Sequence, residues 1–384
     1  MTTTTTATST ATALPTPTLA PSALTAPAAR HARATEEAAR LHPDVVAALP
    51  AAGFARHFVP RRWGGRAGGF TELVHAVAAV GETCASTAWC CALLAGHARL
   101  AAHLPERAQA ELWADSPDTA MAAAVVPPSG RLTPAPGGWR LTGRWQWASG
   151  VEHADWILLA TLEDQPAGPP AYRVLLLPHR DIRVHRTWDS VGLRGTGSHT
   201  VTADDVFVPE HRSCLRDALM TGVSEADAAP CHRVPYTLVA PLLFCAPALG
   251  AARGALDAWT ALTRERGASA GAQLTLARCS AEIDAGALLL ETAAQRADRA
   301  ALTPPAAFEP ETVARNQRDA SVAADLLTGA VERLFRTAGV RALAQDSPLQ
   351  RAWRDIHAVA GHATLQPGPA AEAYAATVFS QEAG

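Results

Sequence analysis

The feature that most constrains this chain is a change of hydrophobic period, from helical to strand-like and back. Between residues 34 and 118 apolar residues recur at helical spacing, as in Leu41, Val45, Val46 and Leu49. From 119 to 225 they alternate with polar ones, as in Trp139-Arg140-Leu141 and Trp145-Gln146-Trp147, the pattern of a half-buried strand. From 226 to 384 long stretches rich in Ala, Leu and Arg return to the helical pattern. Within these zones, residues 71–83, 86–104 and 105–114 read as helices, with Pro105 suited to a first turn. Residues 156–162, 172–177 and 200–208 read as further strands, and 240–266, 271–300, 309–338 and 348–363 as four bundle helices broken near Thr303–Ala307. The expected architecture is α+β, mainly α: an N-terminal helical domain (34–118), a central β-barrel-like domain (119–225) and a C-terminal four-helix bundle (226–384). Residues 1–33 are mostly Thr, Ala, Pro and Ser. They bury too little to offset their ordering entropy and are expected to form a disordered tail, without the basic start and apolar stretch of a signal peptide.

Composition narrows the function classes. The 33 basic residues are all Arg, because the chain has no Lys. That excludes Schiff-base catalysis on lysine and a phosphate loop of the Walker kind. With 36 acidic residues the net charge is −3, which argues against nucleic acid or an anionic membrane as partner. No charge-free run of about 18 apolar residues suggests a membrane span. The seven cysteines, Cys84, Cys90, Cys91, Cys214, Cys231, Cys245 and Cys279, form no C-x-x-C pair. A metal site is therefore not expected, and buried reduced thiols in a cytoplasmic protein are.

Three segments carry chemistry: Gly143-Arg144-Trp145-Gln146-Trp147-Ala148-Ser149-Gly150; Gly192-Leu193-Arg194-Gly195-Thr196-Gly197-Ser198, running into Val206-Phe207-Val208-Pro209; and Arg351-Ala352-Trp353-Arg354-Asp355-Ile356-His357, with His362 beyond. Together, from about residue 35 onward, they resemble the acyl-CoA dehydrogenase fold. They are most similar to its oxygenase branch, the two-component flavin-dependent monooxygenases such as the 3-hydroxy-secosteroid and p-hydroxyphenylacetate hydroxylase oxygenase components. The resemblance implies flavin contacts from Trp147, Ser149, Val125 and Thr196, with Ser149 beside flavin N5. Strand alternation puts Trp145, Trp147 and Ser149 on one face, and three glycines in residues 192–197 allow backbone to approach a ligand closely. Arg266 resembles an arginine that reaches flavin phosphate across a subunit interface, a role that suits its planar fork; a solvated helix end is the competing reading.

The dehydrogenase chemistry of that fold needs a carboxylate base, and the segment from His357 to Pro367 contains none. The pyrophosphate-binding loop of the family is replaced by Ala124-Val125-Val126-Pro127-Pro128-Ser129-Gly130, which favours reduced FMN over FAD. His362 matches the histidine that the oxygenase branch keeps near flavin and substrate. Its place near a helix C-terminus favours the imidazolium. His97 matches a second cavity histidine, although a hydrogen-bonded core histidine reads equally well. Catalytic roles are thus expected for His362, Ser149 and His97. The implied reaction hydroxylates an aromatic (phenolic, polyketide or indole) or amine small molecule with dioxygen, through a flavin C4a-(hydro)peroxide. A separate flavin reductase is implied, since no G-x-G-x-x-G follows a strand, and so is a homotetramer. The alternatives are a flavin dehydrogenase or desaturase with a relocated base, and a degenerate ligand-binding relative.

Overall fold

The computed structural model describes residues 18–222, 228–302 and 309–380. Five helices come first: α1 (Ser22–Glu37), α2 (Pro43–Ala52), α3 (Phe70–Gly81), α4 (Ala85–Ala101) and α5 (Glu106–Trp113). The expected disordered tail is corrected over 22–33. Those residues are the first turns of α1, because Leu24, Ala28 and Ala32 fall on one helical face and are buried. Residues 1–17 lie outside the described residues. Pro43 opens α2 at its first position, and His42 caps it by accepting from the Asp44 amide.

Eight strands follow: β1 (Met121–Ala124), β2 (Arg131–Ala135), β3 (Gly138–Ala148), β4 (Trp156–Glu163), β5 (Ala171–Pro178), β6 (Arg183–His185), β7 (His199–Pro209) and β8 (Ser213–Leu215). Among the described residues they form two four-stranded sheets rather than a closed barrel, ordered β1-β4-β5-β8 and β2-β3-β7-β6. The inward faces share one core, in which Trp139, Leu141 and Trp145 of β3 meet Ile157 and Leu159 of β4 and Leu175 and Leu177 of β5.

Two short helices, α6 (Arg216–Thr221) and α7 (Pro230–Arg233), lead to the bundle: α8 (Tyr236–Arg266), α9 (Ala270–Leu302), α10 (Pro310–Ala338), α11 (Pro348–Ala360) and α12 (Pro367–Ser380). The expected break near Thr303–Ala307 lies outside the described residues. The helix expected over 348–363 ends at Ala360, and a further helix follows at 367. By length and hydropathy α8 could cross a bilayer, yet its apolar stretch is mostly buried inside the fold. One hydrophobic core joins α1–α4 to α8–α11, so the β-unit inserts between two helical portions that pack as one body.

Candidate active site

The site lies where β3, α4 and the segment after α11 meet. β3 is irregular there. Its register on β7 shifts between Trp145 and Ala148, and Trp147 adopts φ 65°. One residue more on β3 than on its partner constitutes a bulge. The expected single face of Trp145, Trp147 and Ser149 is therefore corrected: Trp145 and Ala148 point into the sandwich, while Trp147 is 56% exposed. The extra residue turns that indole out to solvent. With Ala124, Pro127, Ser129 and Arg144 it lines a cleft of about 150 Å³.

Ser149 follows the bulge and is buried. Its Oγ accepts from Trp89 Nε1 at 3.1 Å and contacts Ser198 Oγ at 2.7 Å. Ser198 in turn meets Thr196 Oγ1 at 2.7 Å. Thr196 is buried and donates to the Leu193 carbonyl at 2.8 Å. The Thr196 hydroxyl is thus engaged within the protein, linked to Ser149 through Ser198. The glycines of its loop serve protein packing rather than ligand approach. A Cβ on Gly192 would lie 2.1 Å from the Arg354 carbonyl of α11, and one on Gly195 would lie 2.3 Å from Thr35.

His362 lies beyond the α11 C-cap, in extended backbone. It stacks on Phe244 with ring centroids 3.8 Å apart and meets Trp89 edge-on at 5.6 Å. Its Nδ1 accepts from the Thr364 amide at 3.3 Å. An amide only donates, so Nδ1 carries the lone pair and Nε2 the proton of the neutral ring. Burial pushes the ring down to about 4. The expected imidazolium is corrected: the helix ends before His362, and desolvation overrides any dipole.

His97, on α4, is also neutral, with the opposite tautomer. Its Nδ1 donates to the Met121 carbonyl at 2.8 Å, leaving the lone pair on Nε2. Burial pushes it down to about 4, against the favourable carbonyl contact. Trp89 thus brings Ser149 and His362 together. His97 stands eight residues further along α4, about 12 Å along the axis. Its partner Met121 lines an apolar crevice that also exposes Ser149, Cys90 and Leu93.

The other expected contacts fare differently. Val125 is half-buried, with its carbonyl taken by the Tyr172 hydroxyl, and its neighbours Ala124 and Pro127 line the cleft in its stead. Arg266 ends α8, and its side chain lies outside the described residues. Sequence reasoning missed the roles of Trp89, Ser198 and Phe244. Ser198 belongs to a segment already of interest and Trp89 and Phe244 to predicted helices, but no spacing rule announces contacts across 60 residues (Trp89 to Ser149) or between elements. All seven cysteines are free thiols.

The site suits a flat, partly polar ring system. An exposed indole offers a stacking wall. Strand β1 lies at a sheet edge, where unpaired backbone donors and acceptors suit the edge of a pyrimidine ring. A buried hydroxyl and a neutral imidazole stand nearby, and residues 357–367 contribute no carboxylate.

Comparison with known proteins agrees. A family model described as acyl-CoA dehydrogenase, C-terminal domain, matches residues 242–367. The chain is 36% identical over 355 residues to the oxygenase component of an FADH2-dependent resorcinol hydroxylase from Rhizobium sp. strain MTP-10005, covering 87% of each chain. It is 33% identical over 350 residues to the oxygenase subunit HsaA of a flavin-dependent monooxygenase from Rhodococcus jostii strain RHA1, covering 88% of this chain and 91% of that one. Among solved structures, 3-HSA hydroxylase from Rhodococcus sp. RHA1 superposes with a TM-score of 0.87 at 31% identity, covering 94% of this chain and 95% of that one.

Proposed function

The chain belongs to the oxygenase subunits of flavin-dependent monooxygenases, built on the acyl-CoA dehydrogenase fold, and on that premise we propose that it hydroxylates a phenolic aromatic compound in the space bounded by Ser149, His362 and His97. The observation that carries this reading is the indole of Trp89, which contacts both Ser149 and neutral His362, in a region where residues 357–367 supply no carboxylate. Reduced flavin supplies dioxygen activation and delivers one oxygen atom when bound. Trp147 would offer it a stacking wall, Ser149 a hydrogen-bonding hydroxyl, and Arg144 and Ser129 of the cleft a place for its phosphate. His362 Nε2–H would be the hydrogen-bond donor facing the reacting atoms, and the apolar surroundings of Phe244 and Trp89 would exclude water from it. The lone pair on His97 Nε2 suits acceptance of a hydrogen bond from a phenol hydroxyl.

Reduced flavin comes from a separate reductase, in keeping with the relatives named as oxygenase components or subunits. Free, mostly buried thiols fit the reducing cytoplasm. The proposed assembly is a homotetramer formed through the bundle, and Leu274 and Leu288 of α9 are exposed apolar residues available for such contacts. The missing pyrophosphate loop favours FMN, while the resorcinol hydroxylase is named as FADH2-dependent; competition between the two reduced nucleotides decides which this protein takes.

The test is turnover with a generic flavin reductase, 18O-labelled dioxygen and a panel of phenols, indoles and amines. A phenol that gains one labelled atom, with at least a hundredfold loss in His362→Ala, is the expected result. Hydrogen peroxide as the sole product from every compound would remove the reading. A dehydrogenase would instead bleach bound flavin anaerobically with an acyl thioester.

A further inference from the structure

Helix α11 holds residues 191–193 with two successive side chains. Asp355 Oδ1 accepts from Leu193 N at 2.7 Å, and Arg354 Nη1 donates to the Val191 carbonyl at 3.0 Å while pairing with Glu36 of α1. Between those two bonds the segments touch backbone to backbone, since a Cβ on Gly192 would lie 2.1 Å from the Arg354 carbonyl. Asp355 and Leu193 are both buried, so water does not replace the bond between them. Leu193 has left-handed backbone, at φ 52° and ψ 30°. That conformation costs a residue with a Cβ about 1–2 kcal/mol and persists only where the surroundings enforce it. Both polar groups of Leu193 are held. Asp355 takes the amide, and the carbonyl accepts from Trp188 Nε1 at 2.9 Å and from Thr196 N at 3.1 Å.

Leu193 opens the short turn 194–196, and the Thr196 carbonyl at its end accepts from Gly150 N at 2.7 Å. The amide next to Ser149 is thus fixed to a loop that Asp355 fixes to α11. His362 follows the other end of that helix, after Gly361. Trp89 touches both Ser149 and His362 and closes the circuit. We propose that Asp355 is a positioning residue for oxygen transfer: by holding Leu193 in its left-handed turn, it sets where Ser149 stands relative to His362. The inference rests on the reading that reduced flavin and a phenol meet between those two residues. Without the carboxylate, the strained turn relaxes toward ordinary φ and the Ser149–Gly150 backbone moves with it. A displacement of about 1 Å at a reacting centre costs on the order of a hundredfold in rate. Flavin affinity, which on this reading comes from the cleft of Trp147 and Arg144, changes little. In the coupled reaction, the two electrons of reduced flavin and two protons convert dioxygen and the phenol into hydroxylated phenol and water. When transfer fails, the same two electrons and two protons leave with both oxygen atoms as hydrogen peroxide.

The experiment measures hydroxylated phenol and hydrogen peroxide formed per dioxygen consumed, with a generic flavin reductase, in wild type, Asp355→Ala, Asp355→Asn and Trp188→Phe. The phenol KM and the dissociation constant of reduced flavin are measured beside them, and circular dichroism reports folding. In Asp355→Ala the ratio of hydroxylated product to peroxide should fall about tenfold or more, with KM and flavin affinity within about threefold of wild type. Asp355→Asn, which keeps an oxygen for the Leu193 amide, should restore the ratio. Trp188→Phe keeps a ring and removes one of the donors on the Leu193 carbonyl, so the ratio should fall about threefold; this variant carries the test if Asp355→Ala does not fold. A loss of stability alone would lower the folded fraction and leave the ratio unchanged. A folded Asp355→Ala protein with the wild-type ratio overturns the proposal and leaves the flavin reading standing, as does an Asp355→Asn protein that behaves like Asp355→Ala, or a wild-type ratio in Trp188→Phe where Asp355→Ala fails to fold. A wild type that yields only peroxide from every phenol overturns both.

Discussion

His97 and His362 carry their protons on opposite nitrogens, and each does so because a backbone group decides it: a carbonyl takes the Nδ1 proton of His97, and an amide takes the Nδ1 lone pair of His362. One ring thus offers a base and the other a donor, with both neutral, because burial holds each down to about 4 against an ordinary 6.5. Between those values the unfolded chain binds protons that the fold does not. Folding stability therefore rises with pH through that window and is lost as pH falls toward 4. For the fully enclosed His97 the difference amounts to at most about 3 kcal/mol. His97→Gln, which can still donate to the Met121 carbonyl, should flatten the pH dependence of stability below about pH 6.5. Urea unfolding of both proteins at several pH values checks it, and parallel profiles would remove His97 as the source. Both histidines were legible as candidates in the sequence. Their protonation state was not, since a helix end argues for charge and only the packing of Phe244 and Trp89 around His362 shows that burial prevails.

At the scale of elements, the bulge in β3 decides which tryptophan faces the cleft. A period of two is readable in Trp145-Gln146-Trp147, but one extra residue inverts every face beyond it, and nothing in that pattern marks the insertion. Trp147 occupies left-handed backbone at φ 65° while more than half exposed, a conformation costly for any residue with a Cβ. Trp147→Gly should therefore leave stability unchanged or raise it by about 0.5–1 kcal/mol, while weakening flavin binding roughly tenfold through the lost stacking surface. A thermal melt beside a flavin titration separates the two. A large stability loss with unaltered affinity would make the indole a packing residue. The junction of α11 with the 190–198 loop gives a second case. Burial raises Asp355 to about 6 from 3.8, while the Leu193 amide opposes the shift. The fold then holds a proton that the unfolded chain releases. This contribution to stability is present below about pH 4 and fades as pH rises through about 6. Asp355→Asn retains an oxygen for the Leu193 amide and carries no charge. Its stability relative to wild type should climb from acid to neutral pH, by at most about 3 kcal/mol. A decline over that range would mean that the carboxylate's charge, favoured by the nearby Arg351 and Arg354, holds the loop.

For the whole molecule, the change of period that divides the sequence into helical, β and helical zones does not divide the packing. Apolar stripes show that each helix buries a face, but stripes are local and do not name the helix on the other side. Here α3 lies against α8 and α9, and one core runs from Leu19 to Leu365. A polar tie reinforces it. Gly69 at the N-cap of α3 has no side chain to satisfy the first amides, and the Asp298 carboxylate of α9 accepts from Phe70 N at 2.7 Å and Thr71 N at 2.9 Å. A cap from 228 residues away forms only when both helical portions are folded, so we expect α3 and the bundle to open together. Asp298→Ala should cost about 1–2 kcal/mol, the loss of an N-terminal cap with a charged acceptor, while Asp298→Asn should retain part of it. Native-state hydrogen exchange reads the outcome by position. Exchange free energies of the slowest amides in α3 and in α8–α10 should fall by the same amount in Asp298→Ala, as they do for groups that open in one cooperative unit. If α3 alone loses protection while α8–α10 keep theirs, the two helical portions are separate folding units that touch, and the zones of the sequence would match the units of stability after all.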